Sequence, residues 1–225
     1  MHRQRPFVWV PLVAVALFMV ITLGPAVAPY RCLREKAFSA ESVPQNLPLV
    51  AKFVIEVQDP AFLTRTASDV IVSLFKPLHE WRFGGTPLQL QLTRNKCHGG
   101  SLQGKPLSEL FLWLLAEATI AKERVLGAYL AFAPFGEKDG MLLIGSQDGS
   151  EAYFKKSAEA LTASEAWLLA TSAGRPSLSA SETKQRDFVL RKLYKGGQLT
   201  KAEFSDALAA ELPFEAPNQP MEPTR

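Results

Sequence analysis

Histidine and cysteine are scarce in this chain, three and two among 225 residues. The cysteines, Cys32 and Cys97, form no C-x-x-C pair, and His79 and His98 stand alone. No metal-ligand spacing is present, and no protein metal site is expected. A predominance of one charge is also missing. Arg3 and Arg5 are the only formally charged side chains in the first 29 residues, which leaves 23 basic against 22 acidic residues in the remainder. No Lys/Arg stripe interleaved with aromatics runs through that near-neutral body, so nucleic acid is excluded as an expected partner. Internal repeats are absent, and so are long alternating runs bounded by turn pairs, the pattern that announces a sheet. With 47% hydrophobic and 21% charged residues, the composition excludes collagen-like and wholly disordered chains. It fits one globular domain with an extra segment or two.

One long apolar run is present. Residues 7–28, FVWVPLVAVALFMVITLGPAVA, are 22 uncharged residues behind Arg3 and Arg5, long enough to cross a bilayer as a helix. Residues 1–29 are therefore read as an N-terminal membrane anchor. A cleaved signal peptide is the alternative, because Gly24-Pro25 would break the helix just before Ala26-Val27-Ala28, which has the small-x-small form of a cleavage site. Either way the body is exported to an oxidising place where Cys32 and Cys97 could pair. Their spacing does not decide between a disulfide and two unrelated thiols.

After a linker at 30–48, a domain at 49–212 carries apolar residues at three- and four-residue spacing, and the expected class is all-α. Residues 108–121, with the apolar run Leu110 to Leu115, are expected as a central buried helix. A helix from Lys122 presents Val125, Leu126, Tyr129 and Leu130 on one face and stops at Pro134 and Gly136. Residues 137–150, rich in Gly and Asp, are expected to contain a loop. Thr162 and Glu165 form a capping-box pattern ahead of a helix reaching Ala173. Thr200 and Glu203 repeat the pattern for the last helix of a pair over 182–210, joined at Lys195-Gly196-Gly197. Residues 213–225 hold four prolines and read as a disordered tail.

Five short stretches in a fixed order carry the chemistry. Gln58-Asp59-Pro60-Ala61-Phe62, with Arg65 and Ala67, follows the form E-D-x-x-F-x-x-H-x-G at Asp59 and Phe62 and departs from it at the Glu, His and Gly places. The run from Gly84 to Asn95 follows G-G-S-T-I-T-Q-Q-L-x-K-N at Gly84, Gly85, Gln91, Leu92 and Asn95, with Arg94 at the Lys place. Lys105 to Glu109 follows R-K-x-x-E with one cation and the carboxylate kept. Val125 to Ala131, then Phe135-Gly136, follow I-L-x-x-Y-L-N and F-G without the asparagine. Tyr153 to Ala158, Leu161-Thr162, Glu165-Ala166 and Leu168 to Ala170 complete the set. Together, from about Leu49 to Ala210, they resemble glycosyltransferase family 51, the peptidoglycan polymerases found as membrane-anchored enzymes and as a domain of class A penicillin-binding proteins.

That resemblance implies a lysozyme-like helical fold and a site for glycan chain extension. In this reaction the 4-hydroxyl of a lipid-linked acceptor attacks the anomeric carbon of a donor, and polyprenyl pyrophosphate leaves with inversion. The family's general base falls at Gln58, whose amide has no basic pKa near neutrality and cannot accept that proton. Neither neighbour, Glu56 or Asp59, is placed by sequence to replace it. The resemblance sets Glu109 at the pyrophosphate with Gln91, Arg94 and Lys105 around it, and has Asp59 and Phe62 shape the site. The same residues also read blandly, Glu109 as a first-turn helix acid and the two cations as solvated charges. Residues 63–83, with Ile71, Val72, Trp81 and flanking cations, fit either an interfacial segment or an ordinary amphipathic helix.

No cofactor is required by the resemblance, with Mg or Mn as an optional companion of the pyrophosphate. The implied partners are the lipid-linked precursor, the membrane and other cell-wall synthesis proteins. The implied location is the bacterial inner membrane, single-pass, with the body outside the cytoplasm. Three functions follow: a polymerase weakened at Gln58, a non-catalytic protein binding precursor, glycan or a wall-synthesis partner, and a lysozyme-like glycan-cleaving enzyme with Glu109 as its acid.

Overall fold

The computed structural model describes residues 9–43, 47–74, 86–97, 105–173 and 183–210. Its elements, in chain order, are α1 (Trp9–Ser39), α2 (Leu49–Gln58), α3 (Ala67–Leu74), α4 (Leu88–Lys96), α5 (Pro106–Thr119), α6 (Lys122–Phe132), β1 (Pro134–Lys138), β2 (Met141–Ile144), α7 (Ser146–Phe154), α8 (Ala163–Ser172), α9 (Thr183–Lys195) and α10 (Lys201–Ala209). The expected Gly84-Gly85 pair, residues 75–83 and the tail at 213–225 lie outside the described residues.

The helical spacing of α2 puts Val50, Ala51, Phe53, Val54 and Ile55 inside, and that face packs on α8. Every residue of α8 is buried except Glu165. It is sheltered by α2, α7, α10 and β1, so α8 is the central helix. The apolar run of α5 was the expected centre; its helix instead buries Leu110, Leu112, Trp113 and Ala116 and leaves Phe111, Leu114 and Leu115 partly exposed. It lies against α1, α3 and α4, nearer the edge. All-round hydrophobicity marks both helices alike, and only the number of neighbours separates them.

Two expectations are corrected here. The domain is mostly helical but not wholly so, because β1 and β2 form an antiparallel hairpin with Lys138 opposite Met141, running into the stretch expected to contain a loop. Asp139 and Gly140 join its strands at φ 53° and 75°, the Asp-Gly turn chemistry that suits a tight hairpin. At its base Gly136 has φ 105°, and a Cβ there would lie 2.2 Å from the Tyr153 hydroxyl. Glycine is required at that position for both reasons.

The second correction concerns α1. Gly24-Pro25 does not end the helix, which continues past Pro25 and Pro29 to Ser39, through residues expected as linker. An interior proline costs about 3 kcal/mol in an isolated helix, and packing offsets it here. Ala26, Leu33 and Ala37 are fully buried, the helix lies on α5 and α6, and Tyr30 Oη is 2.8 Å from Thr119 Oγ1. Among the residues whose side chains are described, which in α1 begin at Gly24, no helix is long and apolar enough to cross a membrane. Cys32 of α1 is disulfide-bonded to Cys97, the C-cap of α4, across 65 residues of sequence. Closing a loop of that length stabilises by about 4 kcal/mol in the chain-entropy account.

Both expected capping boxes are formed: Thr162 and Thr200 accept from the backbone of Glu165 and Glu203, and each carboxylate answers the cap residue's N–H. Burial pulls the Glu165 carboxyl up, but hydrogen bonds from Lys156 and Thr162 outweigh it and hold it below the ordinary glutamate value. Backbone and side-chain hydrogen bonds from Thr200 lower Glu203 likewise. Carboxyls with depressed folded-state values stabilise above their unfolded value and lose that stabilisation as pH falls through the folded one. Thr162→Ala is expected to lower unfolding free energy at neutral pH by about 1 kcal/mol and to flatten the loss of stability on the acid side. Urea unfolding at a series of pH values measures both.

Candidate functional site

Asp59 follows the last residue of α2 and is 2% exposed. Such a carboxylate needs a partner, and Arg65, six residues on and 7% exposed, supplies a two-pronged one: Nη1 reaches Oδ2 at 2.9 Å and Nη2 bonds Oδ1. The turn between them is closed by Phe62 N–H on Asp59 O at 2.9 Å and Arg65 N–H on Ala61 O at 2.8 Å. The guanidinium lies 5.0 Å from the Trp113 ring of α5, a favourable contact for a desolvated cation. Asp59 Oδ2 also receives Leu88 N–H at 3.3 Å, which sets the start of α4. Arg65 stands where the family has histidine, and its pairing with Asp59 had no signal in sequence spacing.

Gln58, where the resemblance puts the family's general base, is turned toward α8. Its Nε2 donates to two carbonyl oxygens at the end of α8, Ala170 at 2.9 Å and Ala173 at 3.1 Å. The carbonyls in the last turn of a helix lack intrahelical partners, and the amide satisfies two acceptors there. A carboxylate has no hydrogen to offer them. Of the neighbours weighed as substitute bases, Asp59 is held by Arg65, and Glu56 is paired with Lys192 across to α9.

The second-motif residues sit on α4. Gln91 donates from Nε2 to Thr86 O at 2.6 Å and accepts from Tyr129 Oη on α6 at 2.8 Å. Burial pushes the Tyr129 phenol far up, so it remains a neutral donor. One turn on, Arg94 grips Glu109 of α5 through Nε to Oε1 at 3.0 Å and Nη2 to both oxygens at 2.7 and 2.8 Å. Arg94 is 44% exposed and Glu109 16%, so the cation forms the solvent side of the pair. Lys105 is exposed at the N-cap of α5. Phe62 is buried under Lys122, whose ammonium is 5.1 Å from its ring and donates to its carbonyl at 2.6 Å. Lys122 also pairs with Glu117, which receives Gln89 Nε2 at 2.8 Å. The sequence did not single out Gln89, Glu117 or Lys122.

The five stretches thus meet. Asp59 joins α2 to α4, Gln91 joins α4 to Tyr129, Arg94 joins α4 to Glu109, and Gln58 joins α2 to Ala170. Among the described residues, no group of three or more His, Cys, Asp or Glu is placed to hold a metal ion. Of the segment at 63–83, Val70 is buried, and Leu63, Ile71 and Val72 are exposed.

Removing one member of a buried ion pair leaves the other charge uncompensated. Arg65→Ala is therefore expected to cost about 3–5 kcal/mol, measured by urea unfolding. Gln58→Glu is expected to cost about 1–3 kcal/mol at neutral pH, as a carboxylate faces two carbonyl oxygens. Those oxygens raise the new carboxyl's folded-state pKa, so the deficit should shrink as pH falls through it. A pH-independent deficit would show that the side chain has turned elsewhere.

A family model described as Transglycosylase matches residues 28–194. Three curated relatives are each named biosynthetic peptidoglycan transglycosylase. The one from Brucella suis biovar 1 is 34% identical over 97 residues, 42% of this chain and 41% of that protein. The Thiobacillus denitrificans protein is 28% identical over 174 residues, 73% and 72% of the two chains. The Haemophilus influenzae protein is 29% identical over 168 residues, 69% and 65%. The chain therefore spans less than half the length of the first of these and about two thirds or more of the others. With motif stretches converging through Asp59, Gln91, Arg94 and Gln58, and a family match over well over half its length, this chain belongs to the Transglycosylase family, the glycosyltransferase family 51 that its motifs resemble.

Proposed function

We propose that the protein works in bacterial cell-wall synthesis at the outer face of the plasma membrane, where it binds the lipid-linked disaccharide precursor of peptidoglycan and polymerises it slowly at most. The phosphate side is assigned to Arg94, Lys105, Glu109 and Gln91. Arg94 can exchange Glu109 for a phosphate as a two-pronged partner, and Lys105 adds a point charge. A divalent ion, Mg or Mn, would be an optional companion of the substrate's pyrophosphate, adding positive charge there.

The observation that carries the reading is the Gln58 amide, engaged with Ala170 and Ala173. Chain extension needs a base for the acceptor hydroxyl, which contributes about 10²–10⁴ in rate. Gln58 cannot supply it, and Glu56 and Asp59 are held in ion pairs. What remains is positioning of the donor and stabilisation of the leaving pyrophosphate. Binding without rapid turnover suits a holding role beside other wall-synthesis proteins.

Membrane attachment is proposed through the uncharged run at 7–28, whose described part, from Trp9, is continuous helix into the packed segment of α1. An anchor is favoured over a cleaved leader by Ala26, which is buried in the domain core just before the expected cut.

The test is polymerisation and binding by the full-length protein in detergent with lipid-linked disaccharide precursor. Saturable binding with little or no polymer is expected, and Arg94→Ala should weaken binding roughly tenfold to a hundredfold, as for a lost charged hydrogen-bond partner. Rapid polymer formation by the unaltered protein, or no binding at all, overturns the reading.

A further inference from the structure

The helix that carries Arg94 is nine residues long, too short to persist in water without outside ties. Those ties are unevenly spread. Its first half is held by Leu88 N–H on Asp59, Gln89 on Glu117 and Gln91 between Thr86 and Tyr129. Beyond Gln91, Leu92 and Thr93 are buried, the Thr93 hydroxyl turns back to Gln89 O of the same helix at 2.7 Å, and Arg94 pairs with Glu109 through an exposed-side ion pair that a phosphate would displace. The last turn then ends at Cys97, whose N–H reaches Thr93 O at 2.9 Å. The covalent tie of that turn is the bridge to Cys32, three residues past Arg94.

Cys32 sits beside buried Leu33 on α1, the helix that packs against α5. The first turn of α5 holds Glu109. The bridge therefore fixes the end of α4 to the same α1–α5 unit that presents the carboxylate to Arg94. The packing of α2 on α8 belongs to the same core cluster as Cys97 but is a separate pair of helices, neither of which carries a bridge cysteine.

We propose that the Cys32–Cys97 disulfide is a positioning device for Arg94: it holds the last turn of α4 against α1 so that the guanidinium stands ready for a phosphate. The proposal rests on the reading of Arg94 as a phosphate ligand. Without the bridge the turn frays, Arg94 samples more orientations, and ordering it again on binding lowers affinity. The bridge thereby couples the oxidation state of the compartment to ligand affinity while leaving the α2–α8 core in place.

The experiment compares the full chain oxidised, the full chain with its disulfide reduced, and the Cys32→Ser/Cys97→Ser double variant, all in detergent. The probe is a polyprenyl pyrophosphate, and hydrogen exchange is followed separately in α4 and α8. Binding in the oxidised chain, roughly tenfold weaker binding in the other two, and faster exchange confined to α4 support the proposal. Equal binding in all three forms overturns it. Faster exchange in α8 together with α4 also overturns it, because the bridge is then a general staple. No binding even in the oxidised chain instead defeats the phosphate reading of Arg94.

Discussion

The ion pair between Asp59 and Arg65 is the constraint on which the site depends. Two charges removed from water must face each other, because either one alone would carry a desolvation cost of several kcal/mol. That requirement bends the chain back on itself after α2, seats Phe62 beneath Lys122, and brings the guanidinium to Trp113. The same carboxylate then receives Leu88 N–H, so the start of α4 is referred to the end of α2. The first turns of α4, with Gln89 and Gln91, take their position from that point.

The two sides of the site differ in how freely they can change partner. On the Arg94 side the contact is an ion pair with an exposed cation, where water and salt compete and exchange for another anion is easy. On the Gln58 side the partners are backbone carbonyls of a helix buried almost throughout. They cannot move without disturbing α8. A ligand can thus reorganise the first side, and only a change in the domain core can reorganise the second.

Much of this was legible in the sequence. The Thr-x-x-Glu boxes at Thr162 and Thr200 announced α8 and α10, because capping is a local interaction among residues three apart. The order of the motif stretches identified the family. The hairpin was missed although Asp139-Gly140 is turn chemistry for one, since strands this short leave almost no alternation to read. At Gly24-Pro25, the local breaking signal behind the alternative leader reading yields to long-range packing of Ala26, Leu33 and Ala37. Arg65 with Asp59, Glu117 with Lys122, and Gln58 with Ala170 and Ala173 were invisible in principle. Their partners are brought together by turns and helix packing, and no spacing rule encodes that.

The amide bridge from Gln58 bears on how this chain can evolve. Glutamine and glutamate codons differ by a single nucleotide, so the acid is always one mutation away. The first effect of that mutation would be to remove two donated hydrogen bonds and set a negative charge against two carbonyl oxygens, before any gain at the substrate could be selected. The end of α8 must therefore find other donors for Ala170 and Ala173 before an acid at this position is tolerated.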